Sequence, residues 1–69
     1  MVIHTVKELG ELVREERKKN ALKQAECAAL CGVGVRFLSE LENGKPTLEI
    51  DKVLRVASLM GFEMKVEHK

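Results

Sequence analysis

The sequence predicts an all-α domain of four helices followed by one β-strand. Apolar residues recur at helical spacing behind capping signals over most of the chain, and a glycine-containing turn joins two short helical segments in the middle. The last stretch, FEMKVEHK, instead alternates apolar and polar residues with the period of two that is typical of a half-buried strand. At 69 residues the chain forms one domain with a small core.

The first helix is predicted from a capping box. Thr5-Val6-Lys7-Glu8 has a hydroxyl residue at the N-cap position and a glutamate at the third helical position. One side of this helix carries Leu9, Leu12, Val13 and Arg17. The pattern runs to about Lys19, and we expect Asn20 to adopt the left-handed conformation that ends a helix.

Two short helices flank a tight turn. The first covers about Lys23 to Leu30 and is expected to present a small apolar surface, made of Ala25, Cys27, Ala28, Leu30 and Cys31. The glycines of Cys31-Gly32-Val33-Gly34 are free to take positive φ. The next helix is predicted from Val35 to about Glu42, burying Leu38 and Leu41, and Gly44 in the loop that follows also suits positive φ.

The fourth helix carries more apolar surface than one face needs. We expect Thr47 to cap it, and Gly61 to close it after Met60. It has two apolar stripes, Ile50, Leu54 and Ala57 on one side and Val53, Val56 and Met60 on the other. Because a surface helix of a monomer normally shows one stripe, the pattern indicates contact with a second body.

A second copy of the chain would also supply the partner that the final strand lacks. A single strand leaves its backbone polar groups unpaired, so residues 62–67 are predicted to pair antiparallel with the same residues of another copy. The chain is therefore divided into residues 1–61, the helical domain, and residues 62–69, the dimerisation strand. The predicted interface comprises Val53, Val56, Met60, Phe62, Met64 and Val66. The alternative is an unpaired tail after an over-hydrophobic helix.

Composition excludes several classes of function. Because the net charge is only +1, any contact with a polyanion must come from a local basic patch. Because only 3% of the residues are aromatic, the chain is not expected to stack on the bases of single-stranded nucleic acid. His4 and His68 lie near opposite ends, so the sequence indicates no catalytic grouping and no small-molecule substrate. Without a long apolar run or a signal pattern, we expect a cytoplasmic protein that does not contact a membrane.

The two cysteines are interpreted as core thiols. Cys27 and Cys31 are four residues apart, which is not the spacing of zinc or redox motifs. On one helix they share a face, where a free cysteine behaves as a small hydrophobe. We therefore expect no metal and no cofactor, with a redox or metal role as the alternative.

Residues 22–45, LKQAECAALCGVGVRFLSELENGK, resemble the XRE/Cro-type helix-turn-helix of phage and bacterial repressors. The matching positions are Leu22-x-Gln24-x-x-x-Ala28, Gly32-Val33 and Leu38-Ser39-x-Leu41-Glu42-Asn43-Gly44-Lys45. The resemblance covers residues 6–61 and implies a lambda-repressor-like fold of four to five helices. From Gly44 onward the chain is similar to the C-terminal half of HipB-like antitoxins of type II toxin–antitoxin systems, in which a strand pairs between subunits.

The resemblance implies roles for individual residues. Those at positions that reach base edges are Val35, Arg36, Phe37, Ser39 and Glu40. Arg36 is the strongest candidate because a guanidinium bridges guanine O6 and N7. Val35 departs from the polar or basic residue usual there and would contact a thymine methyl or nothing. Phe37 replaces a smaller polar residue and would equally pack onto a partner or onto sugar. Glu40 would accept from cytosine N4, reject other sequences or lie at the edge. Phosphate contacts are expected from Arg17, Lys23, Gln24, Asn43, Gly44 and Lys45. For Arg17 the resemblance chiefly implies a pair with Glu42.

These roles together predict a dimeric repressor. Two copies would present their reading helices about 34–36 Å apart and read an inverted repeat in double-stranded DNA. The resemblance to HipB-like proteins implies an antitoxin that represses its own operon and binds a HipA-like kinase toxin. The alternatives are a stand-alone phage-type or XRE-family regulator, and a toxin-binding interaction module without strong DNA binding.

Overall fold

The computed structural model of the protein describes residues 2–69 and contains four α-helices. They are α1 (Val6–Lys19), α2 (Gln24–Cys31), α3 (Val35–Glu42) and α4 (Ile50–Leu59). The predicted helical order is confirmed, and α3 has the predicted bounds. The division at residue 61 stays a prediction, and Met1, its first residue, lies outside the described residues. No helix within residues 2–69 has the length and apolar character needed to cross a bilayer.

The capping box at the start of α1 is confirmed. The backbone N–H of Glu8 donates to the Thr5 hydroxyl at 3.1 Å. The Glu8 carboxylate accepts a hydrogen bond from the Thr5 hydroxyl at 3.3 Å. It also accepts one at 2.9 Å from the backbone N–H of His4, the residue before the N-cap. The start of α1 is thus fixed by its own side chains.

All four helices end with a left-handed residue, which is the C-cap itself in α2 and the residue after the C-cap in α1, α3 and α4. These residues are Ala21 at φ 56°, Gly32 at 68°, Gly44 at 79° and Gly61 at 92°. After α4, for example, the Gly61 N–H donates to the Ser58 carbonyl at 3.1 Å and the Phe62 N–H to the Ala57 carbonyl at 2.9 Å. This is the Schellman arrangement, which satisfies carbonyls left free at a helix end.

Three local predictions about helix ends are wrong. Asn20 keeps φ −91° and donates its side-chain amide to the Glu16 carbonyl, while Ala21 takes the left-handed conformation instead. Gly34 has φ −72°, so in the turn before α3 only Gly32 is left-handed. Thr47 lies in a turn and Glu49 is the N-cap of α4, because Leu48 first packs against the core.

The core is built by all four helices. Its buried members are Leu9, Val13, Cys27, Ala28, Cys31, Leu38, Leu41, Val53, Val56 and Ala57. Helix α3 packs against both α1 and α2, so it is held from two sides. On α2 the predicted apolar surface is narrower than expected, since Ala25 is exposed and Leu30 is 70% exposed.

The tail after Gly61 has no regular structure within the described single chain. Phe62 packs partly against the core, whereas Met64 and Val66 are exposed. A β-ladder needs a second backbone, and no other segment of residues 2–69 supplies one. The predicted strand between two copies is therefore not confirmed and stays a prediction.

Candidate nucleic-acid interface

The outer face of α3 carries most of the residues predicted to reach bases. Leu38 and Leu41 have no exposed surface and anchor the opposite side of this helix. The Arg36 side chain is 89% exposed and Val35 is 50% exposed, while Ser39 is half-buried. The structure thus brings Val35, Arg36 and Ser39 to one surface of an eight-residue helix that is held rigidly from behind.

Glu40 lies between two cations on that surface. Its Oε2 accepts from Lys45 Nζ at 2.9 Å and is 3.7 Å from Arg36 Nε. The hydrogen bond from Lys45 is the main reason that the pKa of Glu40 lies below its usual range, and the charges of Lys45 and Arg36 lower it further. At neutral pH the carboxylate is therefore ionised and partly neutralises both of these cations.

Phe37 does not belong to the exposed face. It is half-buried and packs against the core, and Lys52 Nζ of α4 lies 5.9 Å from the centroid of its ring. Its prediction as a base-contacting residue is corrected by this placement, because the ring is turned toward α4. A cation above an aromatic ring is favourable, so Phe37 and Lys52 help to join α3 to α4.

Arg17 is buried in a network that ties α1 to the end of α3. Its Nε and one terminal nitrogen donate to the two carboxylate oxygens of Glu42 at 2.7 and 2.9 Å, and its other nitrogen donates to the Leu22 carbonyl at 2.9 Å. The hydrogen bond with Glu42 raises the pKa of Arg17. The implied pair with Glu42 is confirmed. The predicted phosphate contact of Arg17 stays a prediction that the burial of this side chain, 10% exposed, does not favour.

Gln24 joins the same network from the first turn of α2. Its side-chain amide donates to Glu42 Oε1 at 3.1 Å, which leaves one of its two amide hydrogens free. Gln24 is therefore oriented by a carboxylate that is itself held by Arg17. Sequence spacing could not show that Arg17 of α1 and Gln24 of α2 both donate to one buried carboxylate, that of Glu42 in α3.

The starts of α2 and α3 lack a side-chain cap. Lys23, the N-cap of α2, cannot accept a hydrogen bond, although its backbone N–H donates to Glu26 at 2.9 Å. Gly34, the N-cap of α3, has no side chain to offer. The first N–H groups of both helices are thus available to an anion, and Lys23 adds an exposed positive charge beside one of them.

The loop after α3 has no free backbone donor among the three residues predicted to hold a phosphate. The N–H groups of Asn43, Gly44 and Lys45 donate to the carbonyls of Ser39, Leu41 and Glu40, each at 3.0 Å. Gly44 has no side chain, so its predicted phosphate contact is not supported by this geometry. A built Cβ on Gly44 would lie 2.8 Å from Lys7 Cα, so the glycine is required for packing as well as for its positive φ.

The structure also corrects the predicted dimer surface on α4. Val53 and Val56 are 5% and 0% exposed and belong to the core of their own chain, so they have almost no surface to offer another copy. Of the other stripe, Ile50 and Leu54 face outward, 66% and 42% exposed, whereas Ala57 is buried in the core. Periodicity showed two stripes, but it could not show which of them faces inward.

Two further residues that position α3 were missed. Gly10, in the middle of α1, is buried, and a built Cβ would lie 2.0 Å from the Leu41 carbonyl oxygen. Arg55 of α4 donates to the Gly32 carbonyl in the turn at 3.3 Å. A glycine inside an amphipathic helix is a signal of close packing, so Gly10 could have been identified from sequence.

Known proteins are similar to this chain in sequence. A profile of the helix-turn-helix family matches residues 13–65. The uncharacterized HTH-type transcriptional regulator y4mF of Sinorhizobium fredii is 45% identical over 64 residues, which covers 93% of this chain and 84% of that protein. The ImmF control region 10 kDa protein of Bacillus phage phi105 is 35% identical over 60 residues, which covers 87% of this chain and 67% of that protein.

Solved structures that contain HipB have a similar fold. The HipA-HipB-O2-O3 complex matches with a TM-score of 0.83 at 18% identity, covering 99% of this chain and 96% of the matched chain. The HipB-O4 20mer complex gives the same values. At this level of identity the likeness concerns the fold.

Proposed function

Because the chain belongs to the helix-turn-helix family of XRE-type transcriptional regulators, we propose that it represses transcription as a homodimer bound to double-stranded DNA. Its relatives are regulators and not enzymes. In the proposed complex, α3 enters the major groove of each half of an inverted repeat.

The observation that carries this proposal is the exposure of Arg36 on a helix that is anchored from behind. The side chain is 89% exposed, whereas Leu38 and Leu41 on the same helix have no exposed surface. A guanidinium in the major groove donates two hydrogen bonds to guanine O6 and N7. Arg36 is accordingly the residue that we assign to base recognition, with Val35 and Ser39 beside it.

Phosphate groups would position the domain on the duplex. The uncapped N–H groups at the starts of α2 and α3 suit phosphate oxygens, and Lys23 and Gln24 stand at the first of these sites. In the loop after α3, the side chains of Asn43 and Lys45 would make the contacts, because the backbone donors are already used.

An exposed apolar surface supports the homodimer. Ile50 and Leu54 on α4 continue into the tail, where Met64 is 46% exposed and Val66 fully exposed. A groove of about 510 Å³ runs between Leu54 and Met64. Antiparallel pairing of residues 62–67 across a two-fold axis would cover this surface and satisfy the backbone of the tail. We propose that Ile50 and Leu54, together with Met60, Phe62, Met64 and Val66, form the interface.

We further propose that the repressor is an antitoxin of the HipB type. The similarity of residues 44–69 to HipB-like antitoxins supports this role, and so does the likeness in fold to HipB in a complex with HipA. The antitoxin would repress its own operon and bind a HipA-like serine/threonine kinase toxin. Such a toxin would be encoded beside this gene.

A stand-alone regulator is the second candidate. The phage protein from the ImmF control region is 35% identical to this chain, whereas HipB is 18% identical. Co-expression with the product of an adjacent kinase-like reading frame separates the two. Co-purification in a fixed ratio would support the antitoxin, and separate elution of two folded proteins would favour the stand-alone regulator.

DNA binding is tested by fluorescence anisotropy with the region upstream of the gene. Arg36→Ala should weaken binding to the preferred site by about 5- to 100-fold, since a bidentate arginine–guanine contact is worth about 1–3 kcal/mol. It should change binding to unrelated DNA far less. Arg14→Ala removes an equally charged, exposed side chain from α1 and should keep the sequence preference. Absence of binding by the wild type at low salt would refute DNA binding and favour an interaction module.

The dimer is tested through the tail. Met64→Pro removes a backbone donor and should shift the protein toward monomer in sedimentation at micromolar concentration. Met64→Leu keeps both the donor and the apolar side chain and should remain dimeric. A wild type that sediments as a monomer would overturn the proposed pairing.

A further inference from the structure

Three sulfur-containing residues, two on α2 and one at the end of α4, line one cavity between these helices. The Cys27 thiol donates to the thioether sulfur of Met60, 33 residues away, and the two sulfurs are 3.5 Å apart. Cys31 lies one helical turn further along α2 and lines the same cavity as Cys27 and Met60. Both cysteines are free thiols and are almost fully buried.

The same three residues line a cavity of about 420 Å³. Its remaining lining is Asn20, Leu22, Leu30 and Leu59. Leu30 and Leu59 are 70% and 58% exposed, so the cavity reaches solvent beside them. Its one other polar side chain is Asn20, whose amide nitrogen already donates to Glu16. The described residues lining the cavity therefore offer sulfur as the donor and include no carboxylate or imidazole.

We propose that Cys27, Cys31 and Met60 bind one Cu(I) ion in this cavity. Thiolate and thioether are soft ligands, which select Cu(I) among the metals available to a protein. Among the lining side chains Mg²⁺ and Ca²⁺ would find only the amide oxygen of Asn20, far fewer oxygen ligands than they need, and Zn²⁺ favours four ligands of nitrogen or sulfur. On binding, Cu(I) forms bonds to the two thiolates and the thioether, both thiol protons are released to solvent, and no electron is transferred.

The distance between the sulfurs of Cys27 and Met60 is close to that in a trigonal site. Three sulfurs at about 2.3 Å from one ion, the length of a zinc–thiolate bond, lie about 4 Å from one another. The 3.5 Å between Cys27 and Met60 is within about half an ångström of this value, so a small change of side-chain rotamers suffices. The hydrogen bond also shows that a lone pair of the Met60 sulfur already points toward Cys27.

The protonation of Cys27 in the absence of metal is consistent with a site that only a strongly thiophilic ion fills. Burial raises the pKa of Cys27 to about 11, so without metal this thiol is protonated at neutral pH and is a poor nucleophile. A soft cation can displace the proton because its bond to sulfur replaces that of hydrogen. Since the ligands belong to α2 and to the cap of α4, the ion would join the first helix of the helix-turn-helix to the start of the tail.

The test is an anaerobic titration of the full chain with Cu(I), in competition with a chromophoric Cu(I) chelator. We expect one ion per chain, with ultraviolet sulfur-to-copper charge-transfer absorption. Met60→Leu and Cys31→Ala should each weaken binding by about 100-fold or more, since even outer-shell changes at metal sites lower affinity by about 10- to 100-fold. Met64→Leu removes a thioether outside the cavity and should bind Cu(I) like the wild type.

A second measurement uses the wild type alone and does not depend on the stability of the variants. Cu(I) should protect both thiols from alkylation in mass spectrometry, whereas Zn²⁺ at the same concentration should not. The proposal is overturned if Cu(I) gives no protection, if Met60→Leu binds as tightly as the wild type while it remains helical by circular dichroism, or if Zn²⁺ protects equally well.

Discussion

The ion pairs of Glu40 lead to a counter-intuitive prediction, because removing them should strengthen DNA binding. The Glu40 carboxylate is 2.9 Å from Lys45 Nζ and 3.7 Å from Arg36 Nε, so it holds two cations that the proposed complex needs. Glu40→Gln removes the negative charge while keeping the size of the side chain. Exposed ion pairs contribute little energy, so we expect non-specific affinity to rise by only about 2- to 5-fold.

The salt dependence of DNA binding gives a second quantity that tests the same prediction. If the freed Lys45 makes one more phosphate contact, the slope of log K against log salt becomes steeper by about 0.9. Between 50 and 200 mM salt, the Glu40→Gln variant should therefore lose about 3.5-fold more affinity than the wild type loses over the same range. Binding of labelled duplexes at several salt concentrations measures both quantities. The pKa of Glu40 is lowered, so its carboxylate is ionised in such assays at pH 7. The wild type and Glu40→Gln therefore differ by one negative charge at this position.

Glu11→Gln is the matched control for the change in net charge. Glu11 is exposed on α1 and makes no ion pair among residues 2–69, so its replacement should leave the slope unchanged. Equal slopes for Glu40→Gln and the wild type would refute the reasoning. A loss of affinity confined to one preferred sequence would show instead that Glu40 reads a cytosine.

Three predictions concern stability and are measured by urea unfolding followed by circular dichroism. Gly10→Ala should lower the free energy of unfolding by about 1–3 kcal/mol or more, because the added carbon meets a carbonyl oxygen at 2.0 Å. Gly34→Ala, with no atom within 4 Å, should lower it less, and equal losses would contradict the packing argument. Ala21→Gly should raise stability by about 0.5–1 kcal/mol by relieving the left-handed conformation at φ 56°, and a decrease would show that this residue is not strained. Glu42→Gln should destabilise by about 3–5 kcal/mol because it leaves the buried Arg17 uncompensated, and adding Arg17→Met should restore part of the loss. A single variant as stable as the double variant would mean that the pair is dispensable.

Local sequence patterns were sufficient to predict the structure of those segments that depend mainly on their own residues. The bounds of α3 followed from the glycine turn before it, the loop after it and the spacing of Leu38 and Leu41, and the capping box fixed the start of α1. The left-handed residue after α1 and the start of α4 were misplaced because packing overrides residue preference there. Leu48, for example, must reach the core before α4 can begin.

Contacts between distant segments could not be predicted from spacing. The pair of Arg17 with Glu42 was implied only by resemblance to a family, and its links to Gln24 and Leu22 needed the folded chain. The two stripes of α4 are equally apolar, so the inward orientation of Val53 depends on how α4 docks on the other helices. The approach of Met60 to Cys27 is of the same kind.

The contact at Gly10 has a consequence for how mutations would change this regulator. At Gly10 the backbone of α1 lies directly against the backbone at the end of α3. The orientation of α3 therefore does not depend on the exact shape of the side chains at this contact. Substitutions that shorten core residues should therefore alter how many molecules are folded in the cell before they alter which operator the folded molecules choose. New specificities should arise by exchange of outward-facing residues on α3 alone, with the scaffold left as it is.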